Sequence, residues 1–297
     1  MTTATSFELE GIERSFGSFA LNVEKICFAP GQITCLVGPS GSGKTTLLHI
    51  AGLLEAPDAG TVRMNGDRVD KRSSKARRQI ATVLQKPFMF PVKVIQQVAY
   101  PLRIRGMNAR DAQAKALRTM QIYNVAHLAD RAATKLSGGE ARRVALAAAI
   151  ACEPKVLLLD EPLSNIDEPM RNEISESLKS FTRETGCTTV WVTHDRSETL
   201  SVADEIAVLI EGRLVQAGPP AEVLSQPEDA RAARFLGSGN LIAGTVVSNP
   251  SGIASVDCGD GLMLEAMGQR QQGDRVWIVV RPEDVGVSIQ ESSQVSP

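Results

Sequence analysis

Hydrophobic positions fall into three patterns along this chain. The first is a short, nearly unbroken apolar or β-branched run, at 33–37, 80–84, 156–159 and 189–193. Runs of this length predict buried strands. Residues 156–159 are all Val or Leu, which suits a central parallel strand covered on both faces. The second pattern has helical spacing. Ala112, Ala116, Met120 and Tyr123 recur with Arg, Lys and Gln between them, so 108–123 predicts an amphipathic surface helix. Residues 45–51 read as the start of another helix. The third pattern starts near residue 240. Short β-type runs at 245–247, 254–256, 262–264 and 276–280 are separated by turn segments at 248–252, 259–261 and 273–274. That spacing predicts a small β-barrel.

The strand at 33–37 leads into Gly38-Pro39-Ser40-Gly41-Ser42-Gly43-Lys44-Thr45, followed by Thr46. This fits the phosphate-binding pattern G-x-x-x-x-G-K-[ST] in its strand–loop–helix setting. The glycines let backbone N–H groups point at phosphate oxygens, and the helix start adds partial positive charge. Lys44 is then placed for the β- and γ-phosphates of ATP, and the Thr45 hydroxyl for Mg²⁺. The run 156–159 ends in Asp160-Glu161. At the C-terminal edge of a doubly wound sheet, Asp160 fits a place beside Mg²⁺, through water, and Glu161 fits a general base for the attacking water.

With Leu136-Ser137-Gly138-Gly139-Glu140 twenty residues before that acidic pair, the chain resembles the ATP-binding subunits of ABC transporters over about residues 7–236. The resemblance implies an α/β P-loop core with a helical subdomain. Phe16 sits where the family stacks an aromatic ring on adenine, and ordinary core is its other reading. Gln85 is similar to the Q-loop glutamine that contacts Mg²⁺ and water. Ser137, Gly138 and Gly139 correspond to the signature that meets the partner chain's ATP. Ser137 with Glu140 also fits a helix capping box. The segment Ser164-Asn165-Ile166-Asp167 is similar to the D-loop, making Asp167 a dimer contact, and His194 is similar to the switch histidine. Glu140, Ala148 and the Asn165-Ile166 pair depart from the commoner Gln, Arg and Ala-Leu. A carboxylate at 140 disfavours a nearby phosphate unless it turns away to cap its helix.

Composition narrows the class. With 32 basic and 34 acidic residues the net charge is −2, so no basic footprint argues for nucleic acid. Five scattered cysteines, none in a C-x-x-C pair, fit a reducing compartment. No run approaches the ~20 apolar residues of a membrane span, and the first ten residues do not read as a signal peptide. The resemblance therefore implies a homodimer at the cytoplasmic face of the cell membrane, docked on two permease subunits and served indirectly by a substrate-binding protein. The expected domains are an ABC ATPase domain at 1–238, with its helical subdomain at about 86–152, and a small β regulatory domain at 239–297. That β domain, with Arg281-Pro282-Glu283-Asp284, resembles the TOBE-type domains of ABC importers. The cluster Pro87-Phe88-Met89-Phe90-Pro91 is either a docking surface or core. Segments 98–103 and 127–131 are similar to tungstate and molybdate importer ATPases; phosphate, sulfate, iron and polyamine systems share most of the motifs. A non-transport ABC ATPase is the other reading, but it usually carries two cassettes or a long coiled-coil insertion. A phosphoryl-transfer kinase has no use for residues 136–140.

Overall fold

The computed structural model describes residues 5–237 and 240–280. The Arg281–Asp284 segment and the polar tail 291–297 lie outside the described residues, as does the start of the chain. The chain divides into two compact units, 1–223 and 224–297.

In the first unit, β1 (Phe7–Phe16) and β2 (Phe19–Phe28) form an antiparallel hairpin, with Phe7, Leu9 and Ile12 turned into the core. β3 (Ile33–Val37) is buried at every position and runs through the loop 38–43 into α1 (Lys44–Ala51). β4 (Ala59–Met64) and β5 (Asp67–Val69) extend the hairpin. Then come α2 (Ser74–Gln79), β6 (Ile80–Val83) and the helices α3 (Val94–Ile104), α4 (Ala109–Ile122) and α5 (Gly138–Ala151). The chain returns through β7 (Val156–Asp160), α6 (Glu168–Thr185), β8 (Thr188–Val192), α7 (Arg196–Val202), β9 (Glu205–Ile210) and β10 (Arg213–Gly218), and α8 (Pro220–Ser225) follows.

All ten strands join in one sheet, in the order β5-β4-β1-β2-β10-β9-β3-β8-β7-β6. The segment β9-β3-β8-β7-β6 is parallel. Its central strands β3, β7 and β8 are buried at all five positions each, as a sheet covered on both faces requires. This places the C-terminal ends of β6, β7 and β8 side by side. Leu84 and Thr193 leave the ladder after the last paired residues, Val83 and Val192, and belong to the loops there. The stripe Ala112, Ala116, Met120 and Tyr123 is fully buried, because α4 packs between α3 and α5. Asn108 caps α4 by accepting from the Asp111 N–H at 3.0 Å.

In the second unit, α9 (Ala230–Phe235) packs on β11 (Asn240–Ser248). β11 pairs antiparallel with β12 (Ile253–Asp257) and β14 (Arg275–Val280), and β12 with β13 (Met263–Met267). The result is a four-stranded antiparallel sheet, with Val246, Ala254, Val256 and Ile278 buried on one face.

Candidate functional site

The phosphate loop owes its shape to close packing against β9. At Gly38, with φ +155°, a Cβ would lie 1.9 Å from the Leu209 carbonyl oxygen, so no other residue fits there. Lys44 opens α1 and is only 9% exposed. Its Nζ donates to the Gly38 and Pro39 carbonyl oxygens, both at 2.8 Å, and to Ser42 Oγ at 3.4 Å. Burial pushes its pKa down, and the carboxylates of Glu161 and Asp160 oppose that shift. The N-cap of α1, Gly43, offers no side-chain cap, and the first turn has no acidic residue. The helix start is therefore left with N–H groups uncapped by any side chain or acidic residue of its own first turn, which favours an anion.

Asp160 ends β7 and is 2% exposed. Thr45 Oγ1 donates to its Oδ2 at 3.1 Å. Burial raises the Asp160 pKa; the Thr45 hydrogen bond lowers it and the Glu161 charge adds to the rise. A hydroxyl and a carboxylate this close form a hard-oxygen donor pair suited to Mg²⁺, which completes its shell with water and phosphate rather than with a protein cage. No group of three or more His, Cys, Asp or Glu residues placed to hold a metal ion occurs among the described residues.

The raised pKa makes Asp160 a stability liability without ligand. The folded state holds the Asp160 proton more tightly than the unfolded chain does. Stability therefore falls as pH rises from about 4 through the raised pKa, and the full cost persists above it. Nucleotide-free Asp160→Asn protein is expected to melt a few degrees higher than wild type at neutral pH, with a flatter pH dependence in thermal unfolding. A lower melting temperature would contradict the assignment of burial as the dominant cause.

At Glu161 the backbone turns sharply, with φ +47°. Its N–H donates to the Val192 carbonyl at 2.9 Å, which pins the turn to β8. The carboxylate then meets two other loops. Oε2 accepts from Gln85 Nε2 at 2.9 Å, and Oε1 lies 2.9 Å from His194 Nδ1. Three residues separated by 76 and 33 positions converge because β6, β7 and β8 are neighbours. The His194 loop has its own anchor. The half-buried Glu198 carboxylate accepts from Trp191 Nε1 at 2.6 Å and from Thr193 Oγ1 at 2.8 Å.

Ser137 is the N-cap of α5 in a reciprocal capping box. Its Oγ accepts from the Glu140 N–H at 3.3 Å, and its own N–H donates to Glu140 Oε2 at 2.7 Å. The other Glu140 oxygen accepts from Arg131 Nη1 at 3.3 Å. Hydrogen bonds from the Ser137 N–H and hydroxyl hold the Glu140 carboxyl below its usual pKa. The carboxylate is thus turned into its own helix, while Ser137 and Gly138 stay exposed. Asp167, the N-cap position of α6, is also exposed.

Phe16 is 44% exposed, with the Arg14 guanidinium 4.6 Å from its ring centroid, so the core reading fails. Arg14 is in turn held by Asp58 at 2.5 Å. Among the described residues, no hydrogen bond joins Phe16 or residues 137–139 to the Lys44–Asp160–Glu161 group of the same chain.

Sequence reasoning missed Arg142. It is 5% exposed, and its Nη1 donates to the carbonyl oxygens of Glu161 at 2.7 Å and Ser164 at 2.8 Å, while Nη2 donates to the Gln85 carbonyl. The available signal was its spacing: Arg142, Leu146 and Ala149 share the buried stripe of α5, an odd position for a charge.

The ABC transporter family model matches residues 21–164. The sulfate/thiosulfate import ATP-binding protein CysA 1 of Chromobacterium violaceum is 39% identical, over 95% of this chain and 78% of its own. The spermidine/putrescine import ATP-binding protein PotA of Methylococcus capsulatus is 35% identical, over 97% and 75%. The molybdate/tungstate import ATP-binding protein WtpC of Thermococcus kodakarensis is 34% identical, over 94% and 82%. Among solved structures, a dimeric bacterial ABC transporter cassette has a TM-score of 0.66 at 28% identity, covering 72% of this chain and 98% of that one. Sheet order and phosphate loop together define a P-loop ATPase. The chain belongs to the ABC transporter family, as one of its ATPases.

Proposed function

We propose that this chain is the ATP-hydrolysing subunit of an ABC import complex for a tetrahedral oxyanion such as tungstate or molybdate. The observation that carries the catalytic part is the Glu161 carboxylate held between Gln85 and His194 at the ends of three adjacent strands. Residues 38–46 bind the triphosphate, and Phe16 stacks on adenine by the ring face that Arg14 leaves open. Thr45, Asp160 (through water) and Gln85 would hold Mg²⁺, which would supply charge neutralisation on the phosphates. Glu161 takes the proton from the attacking water, and His194 keeps the carboxylate in place.

Two copies enclose two ATP molecules, with Ser137, Gly138 and Gly139 of one facing the nucleotide of the other and Asp167 at the contact. The dimeric cassette among the structural relatives supports this arrangement. Closure would act on two permease subunits at the cytoplasmic face of the membrane. No helix among the described residues is long and apolar enough to cross a membrane; docking onto the permease subunits would bring this chain to the bilayer. Phe88, Phe90, Tyr100 and Ile104 form an exposed apolar patch beside a cleft of about 390 Å³, which favours the docking reading of residues 87–91 over core. The C-terminal sheet is a regulatory or dimer-supporting domain.

For cargo, the oxyanion reading rests on segments 98–103 and 127–131; the 39%, 35% and 34% identities to sulfate/thiosulfate, spermidine/putrescine and molybdate/tungstate import proteins fit an oxyanion and a polyamine alike. Uptake by cells lacking this chain, with and without its gene restored, tests it using labelled molybdate, tungstate, sulfate and spermidine. Restoration of oxyanion uptake is expected. Restoration of spermidine uptake alone would replace the oxyanion reading with a polyamine one.

A further inference from the structure

We infer that Arg142 is a positioning residue for ATP hydrolysis, fastening the helix that carries Ser137 to the backbone on which Glu161 and Gln85 are mounted. The inference rests on the proposed role of Glu161 as general base.

The case begins with burial. A guanidinium carries five N–H donors in a fixed fork and loses its charge under no ordinary condition. Placing one in the apolar stripe of α5 costs desolvation that Leu or Met would avoid. Arg142 also pairs with no carboxylate within salt-bridge distance among the described residues; Glu161, Asp160 and Glu198 act on it only through their longer-range charge. Its two Nη groups donate instead to the carbonyl oxygens of Gln85, Glu161 and Ser164, while the buried Nε has no partner among the described residues. These carbonyls belong to two loops: Gln85 to the one that follows β6, and Glu161 and Ser164 to the one between β7 and α6.

The two loops carry the groups that matter. The Glu161 side chain is held by Gln85 and His194, and Arg142 holds the Glu161 backbone. Gln85 is gripped twice as well: its amide by Glu161, its carbonyl by Arg142. Arg142, Gln85 and Glu161 therefore close a ring of hydrogen bonds. The start of α5 lies against the loop that carries Glu161 directly: a Cβ at Gly139 would sit 2.9 Å from the Asn165 carbonyl oxygen. A displacement of α5, whose N-terminus faces the partner's nucleotide in the proposed dimer, must then shift the Glu161 carboxylate. Lys44 and Thr45 make no bond to Arg142, so ATP binding should be spared.

The test uses the full-length chain with Arg142→Met and Arg142→Lys. For Arg142→Met, kcat is expected to fall about 10-fold or more while the Kd for ATP stays within about 3-fold, as for loss of an interaction that matters only in the transition state. Arg142→Lys, with a single ammonium for three carbonyls, should fall between Met and wild type. A double-mutant cycle supplies the readout that simple packing would not move. In a Glu161→Gln background, Arg142→Met should change single-turnover hydrolysis by less than about 2-fold, because the group it positions is already disabled. Wild-type kcat in Arg142→Met, or parallel loss of ATP affinity and melting temperature, would overturn the inference. So would a full, additive effect in the Glu161→Gln background. If Glu161→Gln alone keeps near-normal turnover, the general-base reading fails instead, whatever Arg142 does.

Discussion

The Glu161→Gln protein is expected to hydrolyse ATP at least about 100-fold more slowly than wild type, with ATP affinity unchanged. A factor of 100 corresponds to about 2.7 kcal/mol of transition-state stabilisation, within reach of one general base. Glutamine has the shape of glutamate, so the site keeps its packing. It cannot accept a proton at neutral pH, so the water loses its base. Binding is spared because Glu161 bonds Gln85 and His194 and not the loop residues that face the triphosphate. Removing a negative charge near phosphate also does not weaken binding. A dimer that closes on ATP and cannot hydrolyse it should accumulate. Size-exclusion chromatography with ATP should then show twice the monomer mass for the mutant and little for wild type. Near-normal turnover would remove Glu161 from the chemistry.

How much of this site can be read from the chain depends on how local each feature is. The phosphate loop is contiguous, and its strand, glycines and helix start all lie within 33–51, so pattern alone places Lys44 and Thr45. Asp160 and Glu161 are legible because an all-apolar run stops at them. Gln85 and His194 carry no such mark. They meet Glu161 only because β6, β7 and β8 are adjacent, and strand order is a long-range property that local periodicity does not encode. Family resemblance supplied them. Arg142 carried only the weak signal of its spacing with Leu146 and Ala149, because on a helix with several polar residues its burial depends on which face meets α3, α4 and the loops. The stripe in α4 is the local case: periodicity identified its apolar face, and that face is buried against α3 and α5 while most of the intervening positions are exposed, as in an amphipathic surface helix. In the second unit the turns revealed the strands, while the pairing of β11 with the distant β14 follows from tertiary packing.

Lys44→Ala is expected to weaken ATP binding at least about 100-fold, because the triphosphate loses its buried countercharge. The deficit is larger than one missing contact. Asp160 and Glu161 lie close enough to raise the Lys44 pKa against its burial, so without Lys44 two carboxylates face the phosphates unopposed. Titration with a fluorescent nucleotide measures the loss, and unchanged affinity would reduce the loop to a turn. The same protein tests whether the site is shared between copies. Ser137→Arg should bind ATP as a monomer but fail to hydrolyse it. The bulky side chain fills the space meant for the partner's γ-phosphate, and the helix loses its hydroxyl cap. Each mutant alone is inactive. Mixed, a heterodimer holds one site in which the intact loop of the Ser137→Arg chain faces the intact signature of the Lys44→Ala chain, so part of the activity should return. If heterodimers form and stay inactive while each single mutant behaves as described, one composite site is not enough, and hydrolysis requires both sites loaded together.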